Sequence, residues 1–217
     1  MTREEVPEKE EKELFPAQFP EHIVGSKMDT YMLDLWVGAT GANGRLKYLY
    51  YYQILVYAAF YYLDEQVKNR GARLLKRPDL RQGLDALLPL ILEEIVDFKQ
   101  SDEQKITSVI QRTVDAKKIW AVIEDNIDLF SKDQCFEGGY CVVPVVKNGW
   151  TAEDFEKAWI PKIPDLLRKV RNALVHSRES RMGQFIAPTK SNNKLLTPWI
   201  NLIEEIAYDV MIYNEIL

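Results

Sequence analysis

The hydrophobic pattern is clearest at the C-terminal end. There Leu196, Trp199, Ile203, Ile206, Val210, Tyr213 and Leu217 follow one another in alternating steps of three and four. An α-helix turns once in about 3.6 residues, so these steps gather the side chains into one apolar stripe. The spacing predicts a bundle helix with that stripe against a core. A second helix-length segment, from Arg45 to about Arg70, carries Tyr48, Tyr50, Tyr51, Tyr52, Tyr57, Phe60, Tyr61 and Tyr62. Its apolar positions also fall at helical spacing, which predicts a helix buried on a wide face. Its tyrosines are expected in the core and at a subunit surface rather than as a platform for stacking bases.

Between these two helices the pattern is punctuated. Pro78 and Asp79 mark a helix start, and Leu84 to Phe98 continues as helix with a bend at Pro89. Ser101 and Gln104 have the form of a capping box and predict a long helix reaching about Phe130. Residues 131–149 break the periodicity: Gly138-Gly139, the β-branched run around Val142-Val143 and Val145-Val146, then Asn148-Gly149. They predict a short hairpin or an extended loop. Thr151 with Asp154 opens a further helix through Phe155, Trp159 and Leu166, which Pro161 and Pro164 should bend or split. A loop containing Gly183, Pro188 and Asn192-Asn193 leads to the last helix, and Trp159 and Trp199 belong to the core. The expected fold class is all-α, a helical bundle with one irregular insertion at 131–149. Residues 1–27 read as a charged arm with Pro7, Pro16 and Pro20, and residues 28–217 as one helical domain.

One turn imitates a different fold. Gly38-Ala39-Thr40-Gly41-Ala42-Asn43-Gly44 follows the apolar run Leu33 to Val37 and precedes a helix, as in a dinucleotide-binding turn. That fold needs a second strand ending in an acidic residue roughly 20 residues later. Tyr57 to Gln66 instead continues as helix, so the glycines are expected to form a simple turn.

Composition narrows the function. With 217 residues, 47% hydrophobic and 28% charged, the chain can build one sizeable core. A net charge of -5 argues against a general nucleic-acid coat protein, which would be basic. Yet residues 162–194 concentrate Lys162, Arg168, Lys169, Arg171, Arg178, Arg181, Lys190 and Lys194 against Asp165 and Glu179 alone. Cys135 and Cys141 fit no common zinc spacing and are expected to be free cytosolic thiols. The N-terminus has no apolar leader core, and no stretch reaches about 18 uninterrupted apolar residues. A soluble, cytoplasmic protein with no metal, cofactor or membrane partner is the expectation.

Candidate chemistry lies in Arg171-Asn172-Ala173-Leu174-Val175-His176. The chain has two histidines, and His22 has no evident partner. An imidazole exchanges protons near neutral pH, and a guanidinium forms a charged fork suited to phosphate. Five residues advance about 500° around a helix, leaving the two side chains roughly 140° apart. They meet only if the helix ends or bends between them, or across a second copy of the chain.

This Arg-polar-x3-His stretch, near the C-terminus of a helical chain, resembles the signature of the HEPN superfamily. The resemblance covers residues 45–217, with identity confined to the six-residue motif. The arm and the 131–149 insertion have no counterpart in it. It implies a helical bundle, a homodimer and a metal-independent endoribonuclease of toxin–antitoxin or defence type. Arg171 and His176 would be catalytic, with Asn172 orienting them. The basic neighbours Arg168, Lys169, Arg178 and Arg181 would bind RNA. The resemblance equally admits an inactive dimeric scaffold, or a partner of an antitoxin or other protein. A chain outside the family would show a monomer with Arg171 paired to an acid such as Asp165.

Overall fold

The computed structural model describes residues 29–76, 101–175 and 184–213. Over these the protein is mostly helical, and the small sheet it contains has two strands. The expected helix at 84–98 with its bend at Pro89, and the arm 1–27, lie outside the described residues.

Helix α1 (Thr30–Thr40) begins where Asp29 takes an extended conformation and accepts hydrogen bonds from the Tyr31 and Met32 amides. It is helix, not strand, that precedes the glycine turn, which removes the dinucleotide reading. Helix α2 (Gly44–Leu75) follows a short turn. Gly44 has φ +51°, and a Cβ there would sit 2.7 Å from Asn193 Oδ1, so glycine alone lets the helix start against its neighbour.

Helix α3 (Asp102–Thr113) carries the expected capping box, with Ser101 and Gln104 exchanging side-chain and backbone bonds. The helix expected to run to Phe130 is three. Val114 turns extended, and Asp115 caps a new helix, α4 (Ala116–Glu124), by accepting from the Lys117 amide. Buried Asp209 fixes this break: it accepts from the Asp115 amide at 3.2 Å and from Lys118 Nζ at 2.5 Å. The short helix α5 (Ile127–Phe130) follows Asn126.

Strands β1 (Gln134–Cys135) and β2 (Cys141–Val142) form an antiparallel hairpin. Its register sets Cys135 opposite Cys141, with Cα atoms 4.1 Å apart, and the two are joined by a disulfide. The expectation of free thiols is therefore corrected: pairing across the hairpin, which spacing alone does not reveal, brings the sulfurs together. Helix α6 (Ala152–Val175) is interrupted at Ile160 (φ -98°, ψ 131°), as proline at 161 requires of the residue before it. Helix α7 (Lys190–Ile212) starts from a Thr189 cap. It begins earlier than expected, absorbing Asn192 and Asn193.

Helix α2 is the hub, packing along α7 and against α1, α3 and α6. Leu196, Trp199, Ile203, Ile206 and Val210 are buried as the periodicity predicts, and Trp159 joins them. Two polar relays are built into this core. Trp199 Nε1 donates to Gln134 Oε1 at 2.8 Å, and Gln134 Nε2 donates to the Leu129 carbonyl at 2.7 Å. Asn192 is fully buried: its Oδ1 accepts from the Glu137 amide, while its Nδ2 donates to the carbonyls of Glu137 and Ala187. That one amide rivets the hairpin to the start of α7. No helix among the described residues is long and apolar enough to cross a membrane.

Candidate active site at the C-terminal end of helix α6

Past its proline break, α6 buries Ile163, Leu166, Leu167, Val170, Ala173 and Leu174. Their spacing turns Asp165, Arg168, Lys169, Arg171 and Asn172 towards the solvent side. The helix runs unbroken from Arg171 to Val175, so it neither ends nor bends between those two residues. His176, Arg178 and Arg181 lie outside the described residues.

Arg171 is half-buried. Its Nη1 donates to Asn172 Oδ1 at 3.0 Å, and its guanidinium carbon stands 5.9 Å from the centre of the Tyr52 ring. The Tyr52 hydroxyl is pushed up by burial, against the opposing pull of Arg171 and Arg168. Arg171 also lines a groove of about 580 Å³, together with Val175 from α6, Tyr31 from α1, and Tyr52, Gln53, Tyr57 and Phe60 from α2.

Arg168 and Lys169, expected as RNA contacts, face a different neighbourhood. Asp165 accepts from Arg168 Nη2 at 2.8 Å and pairs with Lys169 Nζ at 2.7 Å. Arg168 Nε lies 3.5 Å from Glu103 Oε2, an ion-pair contact without a hydrogen bond. Burial alone would raise the Asp165 carboxyl, but the bonds from Lys169 and Arg168 outweigh it and hold it below its ordinary range. Tyr140 of the hairpin joins this cluster, its hydroxyl raised to about 12 by burial and by Asp165. The charges that Asp165 meets are thus those of Arg168 and Lys169; Arg171 turns to Asn172 and the groove.

Two anchors have no signature in the sequence. Arg45, at the start of α2, donates to the Leu174 carbonyl in the last turn of α6, where a cation suits the helix dipole. Nothing in the linear pattern links residues 129 apart. The chain returning to the bundle is pinned beside the motif, because the Ile186 amide donates to the Ala173 carbonyl at 2.9 Å. The hairpin then takes over: the Phe185 amide donates to Gly138, and Ala187 to Glu137. Gly138 has φ +108°, and a Cβ on it would lie 2.3 Å from the Phe185 carbonyl oxygen, so the two backbones touch there.

Among the described residues no group of His, Cys, Asp and Glu side chains is arranged to hold a metal ion. The chain matches no protein-family model, no curated protein and no solved structure.

Proposed function

We propose that the protein is a metal-independent endoribonuclease of HEPN type, acting as a homodimer. The observation that carries this reading is Arg171 lining an open groove with its guanidinium bonded to Asn172. A guanidinium oriented by Asn172 suits the charge that develops on a phosphoryl group. In the proposed reaction a ribose 2′-oxygen attacks the adjacent phosphorus, forming a cyclic phosphate as the bond to the 5′-oxygen breaks. His176 would take the 2′-hydroxyl proton or deliver one to the departing 5′-oxygen. Each chain offers one motif histidine, and a two-fold axis beside the motif would supply the second. A toxin or defence role, an antitoxin partner and a cytoplasmic setting accompany this reading. In that setting the exposed Cys135–Cys141 bond would meet a reducing pool.

The second reading is a non-catalytic dimeric scaffold. It is favoured by Arg171 being half-buried and bonded within its own helix, as a structural arginine would be. Incubating RNA with pure protein and with Arg171→Ala and His176→Ala separates the two. The ribonuclease reading expects cleavage by the parent and its loss in both variants. Equal cleavage by all three, or none by the parent, leaves the scaffold.

A further inference from the structure

The aromatic residues of α2 divide by depth. Tyr48, Tyr51 and Tyr52 are buried, Tyr57 is half-buried, and Phe60 and Tyr61 are 37% and 44% exposed. Tyr31 of α1, 52% exposed, extends this outer set. The Tyr31 and Tyr57 ring centres stand 4.7 Å apart, and Tyr57 stacks on Tyr61 at 5.5 Å with planes 9° from parallel. The ladder is stiffened from below, since the Tyr57 hydroxyl donates to Asp29 Oδ2 at 2.9 Å and is raised to about 12 by burial and that bond. The other oxygen of Asp29 is occupied by two helix amides. Rings held in order at a surface, rather than folded into the core, present π-faces to a ligand.

Three of these rings, Tyr31, Tyr57 and Phe60, line the same groove as Arg171. Lys105 of α3, itself buried, places its Nζ 4.8 Å from the Phe60 ring centre and so fixes that ring from behind. Rings for stacking beside a guanidinium for phosphate are the two parts of single-strand recognition. Bases show their faces only when unpaired, and the groove has the volume of a small-ligand site, roughly 300–1,000 Å³, rather than the width of a duplex.

We infer that this groove binds single-stranded RNA, with a base stacked against Tyr31 and Phe60 and the adjoining phosphate on Arg171. The inference rests on the ribonuclease reading for the identity of the ligand. It adds what that reading lacks: selection of unpaired strands by α1 and α2.

The test uses the full chain carrying His176→Ala, so that binding is measured without cleavage. Fluorescence anisotropy follows a labelled oligoadenylate, alone or annealed to oligouridylate. Tyr31→Leu and Phe60→Leu should each weaken single-strand binding about 5- to 100-fold, whereas Tyr31→Phe should stay within about twofold of the parent. Both side chains are partly solvent-facing, so circular dichroism should be unchanged; if one variant does not fold, the other decides. Unchanged affinity in the folded leucine variants, or equal affinity for the annealed duplex, overturns the inference. So does a change of oligomeric state in either variant, which would make the groove a subunit interface. Cleavage by the parent with a KM indifferent to Tyr31→Leu removes this inference and keeps the ribonuclease. Ring-dependent binding by a chain that never cleaves does the reverse.

Discussion

Arg168 and Arg171 stand one turn apart on the same helix, in the same basic stretch, and meet opposite surroundings. Arg168 shares Asp165 with Lys169 and borders Glu103, so its flank of α6 is close to neutral. Arg171 leans over Tyr52, bonds Asn172 and opens on an aromatic groove. The difference teaches that a run of cations in a sequence does not amount to a binding surface. Asp165 is placed to serve residues three and four positions on, so Arg168 and Lys169 already hold a carboxylate.

The sharpest way to break this comparison is to remove each arginine in turn. Arg171→Ala should lower RNA cleavage by about 10²–10³, the usual loss when one preorganised donor to a developing charge is removed. Arg168→Ala should leave the rate within about threefold, since its charge is already compensated by Asp165. Arg171→Lys should not recover activity, because an ammonium cannot reproduce a planar fork. Initial rates on one labelled RNA decide the matter, and comparable losses at both positions would dissolve the distinction.

The hairpin that carries Tyr140 to the closed flank is tied to α7 by Asn192. Asn192→Leu deletes three bonds and strands the Glu137 amide, while the Glu137 and Ala187 carbonyls keep their bonds from the Ala187 and Thr189 amides. A loss of about 1–3 kcal/mol is expected, the usual cost of leaving one such group without its partner. Asn192→Asp keeps the shape but turns an oxygen towards two carbonyls, and should be nearly as harmful. Urea unfolding measures both, and a neutral Asn192→Asp would show that the amide does not hold the hairpin.

Little of this flank was legible beforehand. The bundle helices were readable, because Leu196 through Val210 repeat at helical steps and Ser101 and Thr151 announce helix starts with their own caps. The proline break at Ile160 was readable for the same local reason. What escaped was set by contacts distant in sequence. The break at Val114 depends on Asp209, the anchoring of α6 on Arg45, and the rivet on Asn192, which looked like loop. The disulfide escaped because a hairpin register, not a spacing rule, brings Cys135 to Cys141. At the candidate site, Arg171 and Asn172 stand out by residue type alone. Their groove does not, since Tyr31 comes from another helix.

The hairpin offers a gentler perturbation of the same flank. Reducing Cys135–Cys141 opens a loop six residues in separation, for which chain entropy gives a cost of about 2 kcal/mol. The bond is on the surface, whereas Phe136 and Val142 beside it are buried, so reduction should lower the melting temperature without unfolding the core. Scanning calorimetry with and without dithiothreitol checks this. If reduction left stability unchanged, Asn192 and the backbone bonds to Phe185 and Ala187 would alone define the anchor.

The smallest expected effect lies in the ion pair itself. Asp165 and Arg168 are each about a third exposed, and pairs so placed contribute roughly 0.2–1 kcal/mol. A double-mutant cycle with Asp165→Asn and Arg168→Gln should return a coupling in that range. Its pH dependence has a defined sign. The folded carboxyl lies below its ordinary 3.8, so the coupling is fully present above that value and is lost as pH falls through the depressed one. Salt should shrink it as well, because both charges reach solvent. A coupling well above this range would mean that Arg168 is a structural cation whose removal disturbs α6. Its indifference in the cleavage assay would then be the more informative, since the helix would tolerate the damage only if Arg171 were positioned independently by Asn172 and Tyr52.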